Sequence, residues 1–342
     1  MNAVCTSNIS PRAAEKPSLL SIVCPAFNEQ EAILDFHRAV RRVLQSSGQN
    51  FEIILVNDGS TDGTARLMKD LCARHPDTAF VDLSRNFGKE IAITAGLDHA
   101  KGEAVVVMDA DLQHPPESIG ALIEGWREGY DVVNAVRRNR NGENALKRMT
   151  ARAFYRALRR LGRVAPPEDV GDFRLLSRKA VDAVVTLREH HRFMKGVFAW
   201  VGFPTTSIAF DVAPRIAGRT KFDFWKLWNF SIEGVTSHTL APLKASTYLG
   251  LAVAGLSFAS GLVYVVKALL FGDPSPGFPT VIVTVSFLGG VQLIVLGVIG
   301  EYLGRVFNET KNRPLYFVNE LVEARGANCA EAPANTPARE VA

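Results

Sequence analysis

The 342-residue sequence predicts an α/β fold: a mainly parallel sheet with helices on both faces, followed by two C-terminal transmembrane helices. Two observations predict the sheet. Continuous Val/Ile/Leu runs alternate with helix-period segments, the pattern of parallel strands buried on both faces. Polar clusters then follow three of those runs, where such sheets bind ligands beyond the carboxyl ends of their strands. The membrane part rests on two apolar segments, each near the roughly 20 residues that cross a bilayer as a helix.

Taken in order, residues 1–17 are polar, show no signal-peptide pattern and form a flexible N-terminus. Strands are expected at residues 18–24, 51–57, 79–83, 104–108 and 131–136, and helices at 31–46, 64–75, 90–100 and 117–128. These elements fill a catalytic domain over 18–214, and 215–245 reads as a loop and juxtamembrane segment. The membrane region, 246–304, holds spans at about 248–271 and 280–303, and 305–342 is a tail whose last part, from 324, is rich in Ala, Glu and Pro and reads as disordered. The first span is apolar apart from Lys267, and residues 280–300 carry no charge. Two helices of a soluble core would look alike in sequence but would need wrapping on every side.

Basic residues set the orientation. Lys244 precedes the first span and Arg305, Lys311 and Arg313 follow the second, while the 272–279 connection has none. The positive-inside rule then places a multi-pass protein in the inner membrane with both termini and the catalytic domain cytoplasmic. Lys267, near the outer end of its span, can snorkel. The net charge of +4 supports no nucleic-acid role. Four scattered cysteines without C-x-x-C spacing suit a reduced cytosolic domain.

Asp109-Ala110-Asp111, with Gln113 two residues on, ends an apolar run. Hard oxygen ligands so placed suit Mg²⁺ or Mn²⁺ held against a phosphate-bearing ligand. His114 reads as a solvated group or one behind the ligands rather than a ligand itself. Asp58, at the end of its strand, has two readings: acceptor for a base edge, or part of a capped turn with Thr61 and Asp62. A G-x-G-x-x-G fingerprint is absent, which argues against a nicotinamide enzyme. Residues 146–161 place Leu146, Met149, Ala153, Ala157, Leu158 and Leu161 on one stripe against six basic residues and no acid. That pattern fits a helix packed on the sheet with a charged outer face, or an interfacial helix on anionic lipid. Phe224, Trp225, Trp228 and Phe230 just before the first span suit the headgroup zone.

Pro25-x-Phe-Asn-Glu29, Asn57-Asp-Gly-Ser60, Phe87-Gly-Lys89, Asp109-Ala-Asp-Leu-Gln-His-Pro-Pro116 and Gly171-Asp-Phe-Arg-Leu175 together resemble family 2 glycosyltransferases. Arg215-x-x-Gly-x-Thr-Lys221, Gly300-Glu-Tyr-Leu-Gly-Arg305 and Arg313-Pro-Leu-Tyr316 extend the resemblance to the polyprenyl-phosphate branch, over about residues 18–320. That branch includes dolichol-phosphate mannose synthases and bactoprenol glucosyltransferases. The resemblance implies a GT-A-like, Rossmann-type sheet. It implies that Pro25, Phe27, Glu29, Asp58 and Lys89, with Asp109, bind the nucleotide of a UDP- or GDP-sugar. Asp109, Asp111 and Gln113 would hold the metal, and Asp172 and Asp111 would be catalytic. Arg137, Arg192, Arg215, Thr220 and Lys221 would meet the donor and acceptor phosphates. Phe222 and Lys195 stand where the family usually has Tyr and often Arg, and neither change removes a charge.

The reaction these residues imply is transfer of one sugar to a polyprenyl phosphate, with inversion, for cell-envelope glycan modification. Two alternatives remain open: a small polysaccharide synthase, disfavoured by two spans and no Q-x-x-R-W, and a non-catalytic scaffold or lipid-transporter subunit. Gly289, Gly290, Gly297 and the Gly300-x-x-x-Gly304 pair allow close helix packing and motivate a homo-oligomer.

Overall fold

A computed structural model of the chain describes residues 12, 16–137, 170–190, 192, 194–210 and 277–325, with scattered helical positions between 243 and 270. The basic stripe at 146–161, the aromatic cluster at 222–230 and Arg215, Thr220 and Lys221 lie outside the described residues.

The first half of the chain alternates strand and helix as its apolar pattern predicts. Strands β1 (Leu20–Ala26), β2 (Phe51–Asn57), β3 (Thr78–Leu83), β4 (Ala104–Val107) and β5 (Val132–Arg137) are joined through α1 (Ile33–Ser46), α2 (Thr64–Arg74), α3 (Lys89–His99) and α4 (Ile119–Arg127). The second half adds β6 (Val170–Ser177), α5 (Arg178–Thr186), α6 (Met194–Trp200), β7 (Thr205–Phe210), α7 (Phe278–Thr310) and β8 (Val318–Val322).

All eight strands form one sheet in the order β7-β5-β6-β4-β1-β2-β3-β8. The strand runs are continuous because alternate residues serve opposite layers. Leu20, Ile22 and Cys24 of β1 join Ile53 and Leu55 of β2 beneath α1, α2 and α4. Val23, Ile54, Val56, Val105 and Val107 face α3, α5 and α6 instead. The two layers ask different things of their helices. α1 buries a single stripe, Ile33, Phe36, Val40 and Leu44, whereas α3 is buried continuously from Ile91 to Leu97. A Cβ on Gly96 would lie 2.2 Å from Val23 Cγ1, so glycine lets α3 sit close on the centre of the sheet.

The expected mainly parallel sheet is present, and two strands run against it. β6 is antiparallel to both neighbours, β4 and β5, and β8 is antiparallel to β3. Reversal of β6 matters for the site. Its register opposes Val107 to Arg174, so Gly171 and Asp172, earlier in β6, lie beside the chain that leaves β4 towards Asp109. A parallel strand would have carried Asp172 to the far edge.

Of the two expected spans, the described residues contain one helix of the required length and apolarity, Phe287–Thr310 within α7. The span expected at 248–271 falls mostly on residues outside those described. Leu293, Leu296 and Leu303 on α7 are each more than 60% exposed. The helix also runs to Thr310, beyond the expected end near 303.

The chain after α7, expected as a tail, returns to the sheet. β8 covers the β3 edge, and the Ser84 N–H donates to the Phe317 carbonyl (2.9 Å). Tyr316 Oη donates to Asp98 Oδ2 (2.7 Å), a carboxylate that also takes a two-pronged bond from Arg188. At the end of α7, Glu309 accepts from the His190 N–H (2.8 Å). A bare outer strand would leave a row of unpaired amides and carbonyls, and β8 fills it.

Tyr316→Phe removes one hydrogen bond to a largely buried carboxylate, at a cost of about 1.5 kcal/mol. The thermal midpoint should fall by about 3–6 °C. An unchanged midpoint would show that the returning segment adds no stability at this contact.

Candidate active site

The loops after β1, β2, β3 and β4 meet at one edge of the sheet, the carboxyl edge expected from the sequence. After β1 the chain turns at Asn28, in the left-handed region (φ 55°), and is laced to the loop after β2. Ser60 Oγ accepts from the Asn28 N–H (3.0 Å), and Asn28 Oδ1 accepts from the Thr61 N–H (2.8 Å). Thr64 Oγ1 accepts from the Glu29 N–H (2.9 Å) and donates to Asp62 Oδ1 (2.6 Å). Asp62 also accepts from the Thr64 N–H at the start of α2 (3.0 Å), the local turn role expected of it. Pro25 is buried in β1 opposite Val56, and Phe27 is half-exposed beside it.

Asp58 is buried, and each of its oxygens accepts a backbone amide from the loop after β3. Oδ1 takes the Phe87 N–H (2.7 Å) and Oδ2 the Gly88 N–H (3.0 Å). Burial pushes its carboxyl up, and the two amides hold it back. Asp58 therefore ties the Phe87-Gly88-Lys89 loop to the end of β2, a contact invisible in the sequence. A carboxylate has roughly four lone-pair directions, so it can also accept from a base edge. Gly59 makes this closure possible. With φ 63°, a Cβ there would lie 2.3 Å from the Arg85 carbonyl carbon.

The tie delivers Lys89 to the acidic centre. Its ammonium lies 2.7 Å from Asp109 Oδ1, 2.9 Å from Asp109 Oδ2 and 2.5 Å from Asp172 Oδ2. Asp109 and Asp172, far apart in the chain, thus share one cation. Burial would raise the Asp172 carboxyl, but Lys89, with Lys195 and Arg174 behind it, outweighs burial and holds it at about 2. Asp111 Oδ1 accepts from the Gln113 N–H (3.1 Å), a turn that puts Leu112 at φ 54°.

Behind this centre lies a second tier. Arg174 is buried, donates to the Gly171 carbonyl (2.7 Å) and lies 4.1 Å from the Phe198 ring centre. Burial lowers its guanidinium to about 10. Glu90, the residue after Lys89, went unnoticed in the sequence because one acid at a helix start looks like ordinary capping. Its carboxylate accepts from the Met194 N–H (3.3 Å), and burial, then the charge of Asp172, push it up to about 7. His114, expected solvated or behind the ligands, is buried against Phe173 and Phe210, with ring centres 5.0 and 5.3 Å away.

The expected phosphate ligands divide. Arg137 ends β5 at the same carboxyl edge, opposite Phe210. Arg192 is buried and donates to the carbonyls of Val184 and Leu187 at the end of α5. Its contacts there close a helix end. Arg215, Thr220 and Lys221 lie outside the described residues.

The glycosyl transferase family 2 model matches residues 21–185. An uncharacterized glycosyltransferase of Synechocystis sp. is 49% identical over 302 residues, 88% of this chain and 95% of that protein. The SfII prophage-derived bactoprenol glucosyl transferase of Shigella flexneri is 45% identical over 301 residues, 88% of this chain and 97% of that protein. Among solved structures, the mannosyltransferase PcManGT of Pyrobaculum calidifontis, in complex with GDP-Man and Mn2+, aligns with a TM-score of 0.44 at 17% identity. That alignment covers 90% of this chain and 79% of that one.

The Asp172 carboxyl titrates below its unfolded value of about 4. Its stabilising contribution is therefore complete above pH 4 and disappears as the pH falls towards 2, with a size of no more than about 2 kcal/mol. Thermal unfolding of wild type and Asp172→Asn between pH 2 and 6 should show a gap that closes on acidification. A gap independent of pH would remove the Lys89 pair as its source.

Proposed function

Because the chain belongs to glycosyl transferase family 2, and is a hexosyltransferase-type enzyme, we propose that it moves one sugar from a UDP- or GDP-sugar to the phosphate of a membrane polyprenol. The observation that carries this reading is the match along 88% of the chain, well beyond residues 21–185, to a relative named for bactoprenol glucosyl transfer. The exposed apolar face of α7 supports a membrane-bound enzyme; within this reading a second span, the inner membrane and a cytoplasmic catalytic edge come from the sequence pattern alone.

The nucleoside sits at Pro25, Phe27, Glu29 and Asp58, on the laced loops after β1 and β2. The diphosphate faces Asp109, Asp111 and Gln113. These residues fit a divalent metal: their donors are hard oxygens, and both oxygens of Asp109 already hold a cation, the Lys89 ammonium. Mg²⁺ or Mn²⁺ bound there would neutralise the charge gathering on the departing nucleoside diphosphate. Arg137, Arg215, Thr220 and Lys221 orient the donor and acceptor phosphates through charge-assisted bonds.

Transfer is a single in-line displacement with inversion. An acceptor phosphate oxygen bonds to the anomeric carbon as the bond to the diphosphate oxygen breaks. The acceptor needs no proton removed, because a phosphate monoester has a second pKa of about 6 and is largely ionised at neutral pH. Asp172, held ionised by Lys89, is a weak base and an effective anchor. Its role is to orient Lys89 and, with Arg174 behind it, the edge on which the acceptor lands.

Two measurements test this reading. Purified protein in lipid, offered a panel of sugar nucleotides with Mg²⁺ or Mn²⁺ and polyprenyl phosphate, should form a sugar-lipid from one donor, stop on chelation and recover with metal. Folded protein inactive across the panel would sink the proposal. Asp172→Asn should keep kcat at neutral pH within about tenfold of wild type, since orientation rather than proton transfer is lost. Near-total loss with intact donor binding would make Asp172 a required base.

A further inference from the structure

We propose that Lys89 is an internal counter-ion that occupies the cation position of the ligand-free site and yields Asp109 to the divalent metal when the donor diphosphate arrives. The inference rests on the glycosyltransferase reading above and concerns how that site is regulated. An ammonium has three N–H donors. In this protein the ammonium donates to Asp109 Oδ2 (2.9 Å) and lies within ion-pair distance of Asp109 Oδ1 (2.7 Å) and Asp172 Oδ2 (2.5 Å). The ammonium stands against both Asp109 oxygens, so a metal ion binding that carboxylate would lie beside a positive charge that opposes it.

Charge balance sets the order of events. Asp109, Asp172 and Lys89 together carry one negative charge. A divalent ion alone would share its ligand with an ammonium and be repelled by it. A diphosphate arriving with the ion supplies the anion that Lys89 can turn to. The geometry allows that turn. The Lys89 side chain is 44% exposed on a flexible four-carbon stem, while Gly88 just before it is fixed by Asp58 Oδ2. Asp172 is not abandoned by the movement, because Lys195 and Arg174 also act on its carboxylate. Lys89 can keep its Asp172 bond and pivot from Asp109 to the diphosphate. The ligand-free enzyme is thereby kept from loading metal without donor, and Lys89 acts as a positioning residue for metal entry.

The experiment is Mn²⁺ binding followed by electron paramagnetic resonance in wild type, Lys89→Met and Lys89→Arg, first without nucleotide and then with UDP or GDP. Without nucleotide, Lys89→Met should bind Mn²⁺ about tenfold more tightly than wild type, and Lys89→Arg should stay near wild type. With nucleoside diphosphate present the order should reverse, Lys89→Met losing about tenfold in nucleotide affinity. Lys89→Gln serves in place of the Met variant if that protein fails to fold. Folded neutral variants that bind Mn²⁺ no more tightly than wild type would overturn the role of Lys89 alone. Absence of Mn²⁺ binding in every protein, with either nucleotide, would overturn both this role and the metal reading of Asp109 and Asp111.

Discussion

The ammonium of Lys89 stands between two carboxylates from different strands, Asp109 after β4 and Asp172 in β6, and it is the contact on which the edge of the sheet is organised. Without it, two negative groups would face each other in a partly shielded pocket. The rest of the site can be read as the means of delivering that one charge. Asp58 holds the loop that carries Lys89, Gly59 lets that loop come close, and the reversed β6 brings Asp172 within reach.

The two layers under the sheet serve the same end differently. α3 begins at Lys89 and is buried from Ile91 to Leu97, so the backbone that carries this side chain is held by the core. α6 begins at Met194, whose amide meets Glu90 one residue on from Lys89. Burial and neighbouring charge therefore act together on a compact set: Glu90, Asp172, Arg174 and Lys195. Burial is the largest influence on each of the four, and at Asp172 the neighbouring cations, Lys89 first, outweigh it.

The other organising feature is the return of the chain after α7. Glu309 at the end of that helix meets His190, and Tyr316 and Arg188 share Asp98 at the end of α3. β8 then completes the sheet beside β3. An apolar helix is thereby joined to the catalytic sheet through several polar contacts, and α3 is held at both ends, by the site at one and by the returning segment at the other.

The sequence by itself determined the alternation of β1 to β5 with α1 to α4, because burial on both faces demands unbroken apolar runs and one-sided burial of helices demands a period. It also determined that three polar clusters share one edge of the sheet, since Pro25–Glu29, Asn57–Asp62 and Asp109–Asp111 each follow such a run. It did not reveal β6, whose run is broken by Gly171, Asp172 and Arg174, nor β8, whose half-exposed edge position needs little apolar pattern. Only the tertiary structure decided that Asp58 ties a loop, that Glu90 belongs to the site and that Arg192 closes a helix end. Such roles depend on through-space approach between residues far apart in the chain. Local pattern records how a segment is buried; it carries no record of which distant charge it is buried beside.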